Sequence, residues 1–255
     1  MTKSKRIKKS TKFIYAILGP VFWVLVWQLA ASFANRRLMF PIPLPLATLK
    51  VFLSDLGNSE FLTAIGNSLI HILAGYLTAA VIGIAGGMLS GRYALFGALS
   101  DPLLHVIRAV PVAAFIFIAW LWIPSALLPS VISALMVVPV IWSHAAAGME
   151  AADEKYAEMA RVFGMSNRDI NLRIRLPLLE PHLRNGAITG LGIAWKAGVA
   201  AEVICNPTGS MGALLQQAKA AIDYEEVFAV VLAVVLLNVI LEGILKLVWK
   251  EKYDD

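Results

Sequence analysis

The stretch from Phe61 to Gly91 reads FLTAIGNSLIHILAGYLTAAVIGIAGGMLSG and contains no Asp, Glu, Lys or Arg. As a helix it would be about 46 Å long, because each residue adds about 1.5 Å. The hydrocarbon core of a lipid bilayer is only about 30 Å thick. The stretch therefore predicts a membrane-spanning helix, either one long helix or a helix with an outer extension.

Two further stretches also lack Asp, Glu, Lys and Arg. Phe13–Ala34 has 22 residues, enough for one span, and Ala109–Met149 has 41 residues, about twice that length. Near the middle of the longer stretch, Pro124, Ser125 and Pro129 suit a tight turn between two helices.

Two more predicted spans are interrupted by charge, which brings the total to six. Gly186–Cys205 contains Lys196 and Glu202, and Val227–Trp249 contains Glu242. We expect Glu242 to extend its carboxylate towards the membrane surface or to pair with an arginine of a loop.

The composition of the whole 255-residue chain agrees with these spans. Apolar residues make up 59% and charged residues 15%, against about 45–50% and about 25% in soluble domains. The same numbers exclude a disordered chain, which needs low hydrophobicity and high charge. The sequence thus predicts an all-α membrane protein with about six transmembrane helices.

Basic residues predict the orientation, since Lys and Arg accumulate in cytoplasmic segments. With the N-terminus inside, 17 of the 22 basic residues lie on the cytoplasmic side and four on the outer side, and Lys196 lies within the membrane. The net charge of +5 is then a signal of orientation, and no nucleic-acid partner is expected. We expect a cytoplasmic N-terminus (residues 1–12), a single membrane domain (residues 13–250) and a cytoplasmic tail (residues 251–255).

Two features of this scheme have alternatives. The first span, with its basic start and small residues near Ala31–Ala34, also resembles a signal peptide, whose cleavage would leave five spans. Glycines at four-residue spacing favour close helix packing, either within one subunit or between two copies. These glycines are Gly83, Gly87 and Gly91, and then Gly186 and Gly190.

The longest cytoplasmic loop, residues 150–185, has a pattern that predicts a helix, a sharp turn and a second helix. The first helix carries apolar residues at amphipathic spacing, namely Tyr156, Met159, Ala160 and Phe163. Gly164 is suited to end that helix in a left-handed conformation, and Ser166 with Asp169 resembles a capping box. Leu176-Pro177 is predicted to end the second helix.

This loop resembles the EAA signature of ABC-importer permeases, which reads E-A-A-x3-G-x9-I-x-L-P. The chain has Glu158, Met159, Ala160, Gly164, Ile174, Leu176 and Pro177 at the signature spacing, with Met159 in place of the first alanine. The alternative is an amphipathic hairpin that lies on the membrane surface.

The resemblance implies a type I importer permease fold whose coupling helix docks in a groove of a separate ATPase. It also implies a homodimer with two ATPase subunits, which bind ATP and Mg²⁺, and an extracytoplasmic solute-binding protein. The chain has no G-x-x-x-x-G-K-[ST] phosphate loop, so we expect no cofactor on this chain. The implied location is the bacterial plasma membrane, with several spans and both termini inside.

Two shorter matches extend the resemblance over most of the chain, from about Pro41 onward. Residues 195–202, WKAGVAAE, are similar to the Trp-to-Ala-Glu stretch of nitrate/sulfonate/taurine-type permeases, and Arg108-Ala109-Val110-Pro111 is similar to their Arg-x-x-Pro. Membership of this subfamily implies a small, often anionic solute such as nitrate, a sulfonate, taurine or a thiamine precursor.

Charges inside the membrane are expensive and usually face protein or water, at a cost of about 2.5–3.5 kcal/mol. Lys196 and Glu202 are six residues apart, which places them about 240° apart around a helix, so each should reach a different neighbour. With Arg108 they are candidates for the solute pathway, or for structural contacts between helices. No catalytic cluster and no metal-ligand spacing is evident, so we expect neither a reaction nor a metal site on this chain.

The functional prediction is therefore the permease subunit of an ATP-driven importer. The alternative is a stand-alone secondary transporter or channel, which should show an internal repeat or proton-relay carboxylates.

Overall fold

The structure is a computed structural model that describes residues 9–36, 41–151 and 154–250. Within these ranges every regular element is helical. The elements are α1 (Lys9–Ala34), α2 (Pro45–Asp55), α3 (Ser59–Arg92), α4 (Ala94–Ala109), α5 (Val112–Trp120), α6 (Leu128–Ala151), α7 (Glu154–Val162), α8 (Asn167–Ile170), a π-helical turn (Asn171–Arg175), α9 (Leu176–Cys205), α10 (Met211–Ala220) and α11 (Tyr224–Lys250). Residues 1–8 and 251–255, which hold most of the predicted N-terminus and the predicted tail, lie outside the described part.

Four helical segments are long and apolar enough to cross a membrane: Ser59–Arg92, Leu128–Ala151, Arg168–Cys205 and Tyr224–Trp249. The pair α4 and α5 would be a fifth span, bent by 99°. In α1 the residues with described side chains form a shorter apolar helix, Leu18–Ala34. Every predicted span thus corresponds to a helix or a helix pair, and the fold is that of an all-α membrane protein.

The third predicted span is wrong in its start. It begins at Ala94, not at Ala109, and it breaks between α4 and α5 at Val110-Pro111. Val110 is extended (φ −80°, ψ 131°), because a proline pushes the preceding residue out of the helical region. The predicted turn around Pro124 and Ser125 is confirmed, since α5 ends at Trp120 and α6 begins at Leu128.

Helix α6 is the centre of the fold, with α3 and α9 packed against it. A Cβ on Gly83 of α3 would lie 2.9 Å from Cβ of Ile141. On Gly190 of α9 it would lie 3.0 Å from Cγ1 of Val137, on the same central helix. The glycine spacing therefore serves close packing within one subunit, the first of the two alternatives.

Two shorter helices border the spans. The first is α2 (Pro45–Asp55), which packs against α11. Helix α10 was not predicted; it follows a left-handed turn at Asn206 (φ 50°), and the hydroxyl of Ser210 accepts a hydrogen bond from the amide of Ala213. The signal that could have located α10 is Ser210 in the N-cap position, after Pro207 and Gly209.

Candidate functional site

The loop after α6 folds into a compact unit, which we call the loop hairpin (α7, α8 and the π-helical turn, residues 154–175). Gly164 adopts φ +76°, and its amide donates to the carbonyl of Arg161 (2.9 Å). The amide of Met165 donates to the carbonyl of Ala160 (3.1 Å). These two bonds form a Schellman motif, which ends α7 and satisfies carbonyls that a helix end leaves unpaired.

The second helix of the loop hairpin begins at the predicted cap. Ser166 Oγ accepts from the amide of Asp169 (3.2 Å) and donates to the Asp169 carboxylate (2.6 Å). The prediction that Leu176-Pro177 ends this helix is wrong, because the π-helical turn leads directly into α9. Pro177 lies in the first turn of α9, where a missing N–H is tolerated.

The residues of the EAA-like pattern divide between the inside and the outside of the loop hairpin. Ala160 and Ile170 are buried against each other, with Met165 and Ile174 packed around them. Glu158, Met159, Leu176 and Pro177 are exposed. The pattern thus contributes a small core and a turn, while its other members remain on the surface.

Several apolar side chains on α7, and one directly after it, are exposed. Val162 is 85% exposed, Phe163 80%, Met159 56% and Tyr156 48%. The predicted amphipathic face is therefore buried only at Ala160. Exposed apolar clusters of this kind mark interaction surfaces.

Glu202 is fully buried between three helices. Its Oε2 accepts from the hydroxyl of Ser68 in α3 (2.7 Å) and from the amide of Gly212 in α10 (3.2 Å). The Ser68 hydroxyl also accepts from the amide of Met211 (3.0 Å). Glu202 is therefore an interhelix contact that ties the first turn of α10 to α3 and α9. Its Oε1 has no hydrogen-bond partner among the described residues.

Lys196 lies on the other side of α9 and is exposed. Its positive charge interacts electrostatically with the carboxylate of Glu242 in α11. Lys196 and Glu202 therefore have different neighbours, as the helical geometry predicts. The carboxylate of Glu242 accepts from Lys246 (3.0 Å) and from Asn238 (3.1 Å). The expectation of a loop arginine as its partner is wrong, since its partners lie four residues away on the same helix.

Arg108 joins the end of α4 to α6. Its Nη2 donates to the carbonyl of Pro139 (2.9 Å) and to the hydroxyl of Ser143 (2.5 Å). The guanidinium thus fixes the bent pair against the central helix. It also lines a cavity of about 290 Å³ together with Asp101 and Glu150.

The helices and the loop hairpin define a class of protein: a multi-pass helical membrane subunit with a structured loop that exposes an apolar surface. Residues 79–250 match the family described as "binding-protein-dependent transport system inner membrane component". The chain belongs to this family, and it is a permease component of an ABC importer.

Named relatives place it with the nitrate/sulfonate type. It is 31% identical to a nitrate import permease protein of Synechococcus elongatus, over 74% of this chain and 71% of the relative. It is 28% identical to a bicarbonate transport system permease protein of the same species, over 80% and 77%. A putative ABC transporter permease protein of Methanocaldococcus jannaschii is 25% identical over 98% of this chain and 95% of the relative.

A solved structure shares the fold. It is a chain from a bacterial alginate ABC transporter in complex with an alginate pentasaccharide-bound periplasmic protein. The TM-score is 0.57 at 14% identity, over 94% of this chain and 93% of the other.

Proposed function

We propose that this permease carries a small anion, works as a homodimer and receives its solute from an extracytoplasmic binding protein. Relatives named for nitrate and for bicarbonate both concern small anions, which supports the solute class. The excess of basic residues on one side supports cytoplasmic termini in the plasma membrane of a bacterium.

Two copies of a separate ABC ATPase, with bound ATP and Mg²⁺, dock on the two loop hairpins of the dimer. The observation that carries this proposal is the uncovered apolar surface of Tyr156, Met159, Val162 and Phe163, which lies on the loop and not on a membrane span. Water is an unfavourable environment for such a cluster, at about 25 cal/mol per Å² of apolar surface. Burial in a groove of the ATPase removes it from water.

The geometry of the loop hairpin suits the transmission of force. The capped turn at Gly164 and the small core of Ala160 and Ile170 hold α7 in a fixed relation to α8. Through the π-helical turn, α8 is continuous with α9, which is part of the three-helix centre. A rotation of the ATPase can thus move α9 without first deforming the hairpin.

The test is co-purification of the tagged chain from membranes. We expect an ATPase to accompany the unmodified chain and to be lost in Phe163→Glu, Glu158→Lys and Gly164→Pro. The matched control is Leu56→Glu, which makes the same kind of change at an exposed residue after α2. Absence of any ATPase from intact membrane extracts of the unmodified chain would overturn the proposal. Retention of the ATPase by all three loop variants would overturn the docking surface.

A further inference from the structure

Four polar side chains form a seam between α9 and α11, which we call the polar seam (Lys196, Asn238, Glu242 and Lys246). On α11 the last three are spaced by four residues and joined by hydrogen bonds through the Glu242 carboxylate. Across the seam, a Cβ on Gly192 of α9 would lie 3.0 Å from Oε1 of Glu242, so the glycine leaves room for this carboxylate.

The polar seam lies deep in the membrane. Lys196 is nine residues before the end of α9 at Cys205, which is about 14 Å along the helix. Asn238 is near the middle of α11, with Glu242 about 6 Å and Lys246 about 12 Å nearer its C-terminal end. The seam therefore runs from the bilayer centre towards the end where the predicted cytoplasmic tail begins.

Within a single subunit, the polar seam is not covered by other residues that the structure describes. Lys196 is exposed, and the Glu242 and Lys246 side chains are 29% and 53% exposed. Among the described residues, Lys196 has no hydrogen bond and no ion pair. By contrast, Ile240, on the side of α11 opposite Asn238 and Glu242, is exposed and apolar, which suits lipid. A lysine at the bilayer centre does not suit lipid, so another surface or water must cover the seam.

The two-fold symmetry of a dimer indicates whether a dry protein contact or water covers the polar seam. In a two-fold dimer the same patch of each copy meets around the symmetry axis, so a Lys196 close to that axis would face the Lys196 of the other copy. Such a pair would repel, and the only nearby carboxylates among the described residues, one Glu242 in each copy, are already bonded to Lys246, which makes dry burial expensive. With water and an anion between them, the same two lysines would attract the anion from both sides.

We propose that the polar seam lines the translocation path and that the Lys196 side chains of the two copies bind the small anion between them. Glu242 is the resident counter-charge that balances Lys196 when no anion is present, and Lys246 continues the positive side of the seam. This assignment rests on the proposed function, since it presumes an importer built from two copies of the chain.

The test is thiol labelling of the assembled transporter in proteoliposomes. Cys205, the single cysteine of the chain, is first replaced by alanine. A cysteine is then introduced at Thr189, which is exposed, seven residues before Lys196 and on nearly the same face of α9. Ile240→Cys is the matched control on the apolar side, where the side chain is 53% exposed. The probes are two methanethiosulfonate reagents, one anionic and one cationic.

We expect Thr189→Cys to react with both reagents and Ile240→Cys with neither. The anionic reagent should react about four times faster than the cationic one at Thr189→Cys, because a unit charge about 10 Å away in an aqueous path speeds one about twofold and slows the other about twofold. Adding Lys196→Gln should abolish this preference. Equal rates for both reagents would overturn the anion site.

A dry interface would give a different result, namely no labelling at Thr189→Cys and an oxidant-induced cross-link between Lys196→Cys copies. That result would also overturn the assignment. ATPase co-purification on the same samples distinguishes failure of the proposed path from failure of the proposed function. If the ATPase is retained but labelling fails, only the path is refuted. If the ATPase is lost in the Cys205→Ala parent, the importer assembly is refuted.

Discussion

Helices α3 and α6 approach each other closely at Gly75, and substitution of this glycine tests the packing between them. Gly75 is buried, and an added Cβ would overlap the carbonyl oxygen of Ser130 and lie 2.9 Å from its carbonyl carbon. The Ser130 hydroxyl also donates to the carbonyl of His71 (2.7 Å), one turn away on α3. Because the obstacle is the backbone of α6, no side-chain rotation can relieve it.

The size of the expected destabilisation follows from a comparison with another glycine of α3. Gly66 also lies inside α3, but a Cβ there would meet nothing within 4 Å. Both Gly→Ala changes gain the same helix preference, about 0.5–1 kcal/mol, which cancels in the comparison. The difference is then the overpacking cost at Gly75, about 1–3 kcal/mol. For a chain of this size, 1 kcal/mol shifts the melting temperature by about 2–4 °C, so we expect Gly75→Ala to melt about 2–12 °C below Gly66→Ala.

The assay is thermal unfolding of both purified variants in the same detergent, at one scan rate, followed by size-exclusion chromatography and by tryptophan fluorescence. A fixed scan rate matters because unfolding of membrane proteins is often irreversible. Equal melting temperatures for the two variants would refute the reasoning, since the α3–α6 contact at Ser130 could not then be as close as described.

Three further predictions concern single residues. Glu202→Leu should destabilise the fold by about 1.5–3 kcal/mol, because the charged hydrogen bonds are lost. Glu202→Gln should destabilise it by less, and melting curves of the two variants will show the difference. Equal losses of stability would mean that the hydrogen bond to Gly212 contributes nothing. Burial raises the pKa of Asp55 above its ordinary 3.8, so its contribution to stability is full below that value and is lost as pH rises through the folded-state pKa. We therefore expect Asp55→Asn to raise the melting temperature at pH 7 but not below about pH 4, and a gain that is independent of pH would contradict this. Gly164→Ala meets no neighbour but forces a left-handed alanine, at about 1–2 kcal/mol, so hydrogen exchange should speed up in the loop hairpin and nowhere else.

Sequence alone predicted the spans because their signal is local. Length and freedom from charge located the helices that became α3 and α6, with ends off by a few residues. The break at Pro111 follows from the proline itself, but the start of the bent pair at Ala94 could not be located in the same way, because α4 contains charged residues. The partners of the intramembrane charges were also out of reach, since the bond from Ser68 to Glu202 joins residues 134 positions apart.

Some residues of the signature determine how the loop hairpin folds, whereas others form the surface that it exposes. The left-handed turn at Gly164 was predicted correctly from the pattern, and Ala160 and Ile174 of the signature belong to the small core beside this turn. Met159 departs from the alanine of the signature, yet its side chain is 56% exposed and outside that core. The change therefore alters the surface offered to a partner and leaves the hairpin intact. If the hairpin docks in an ATPase, Met159→Ala should change the strength of that docking while the melting temperature of the isolated permease stays the same. A variant that melts earlier but keeps its ATPase would show that Met159 serves the fold instead.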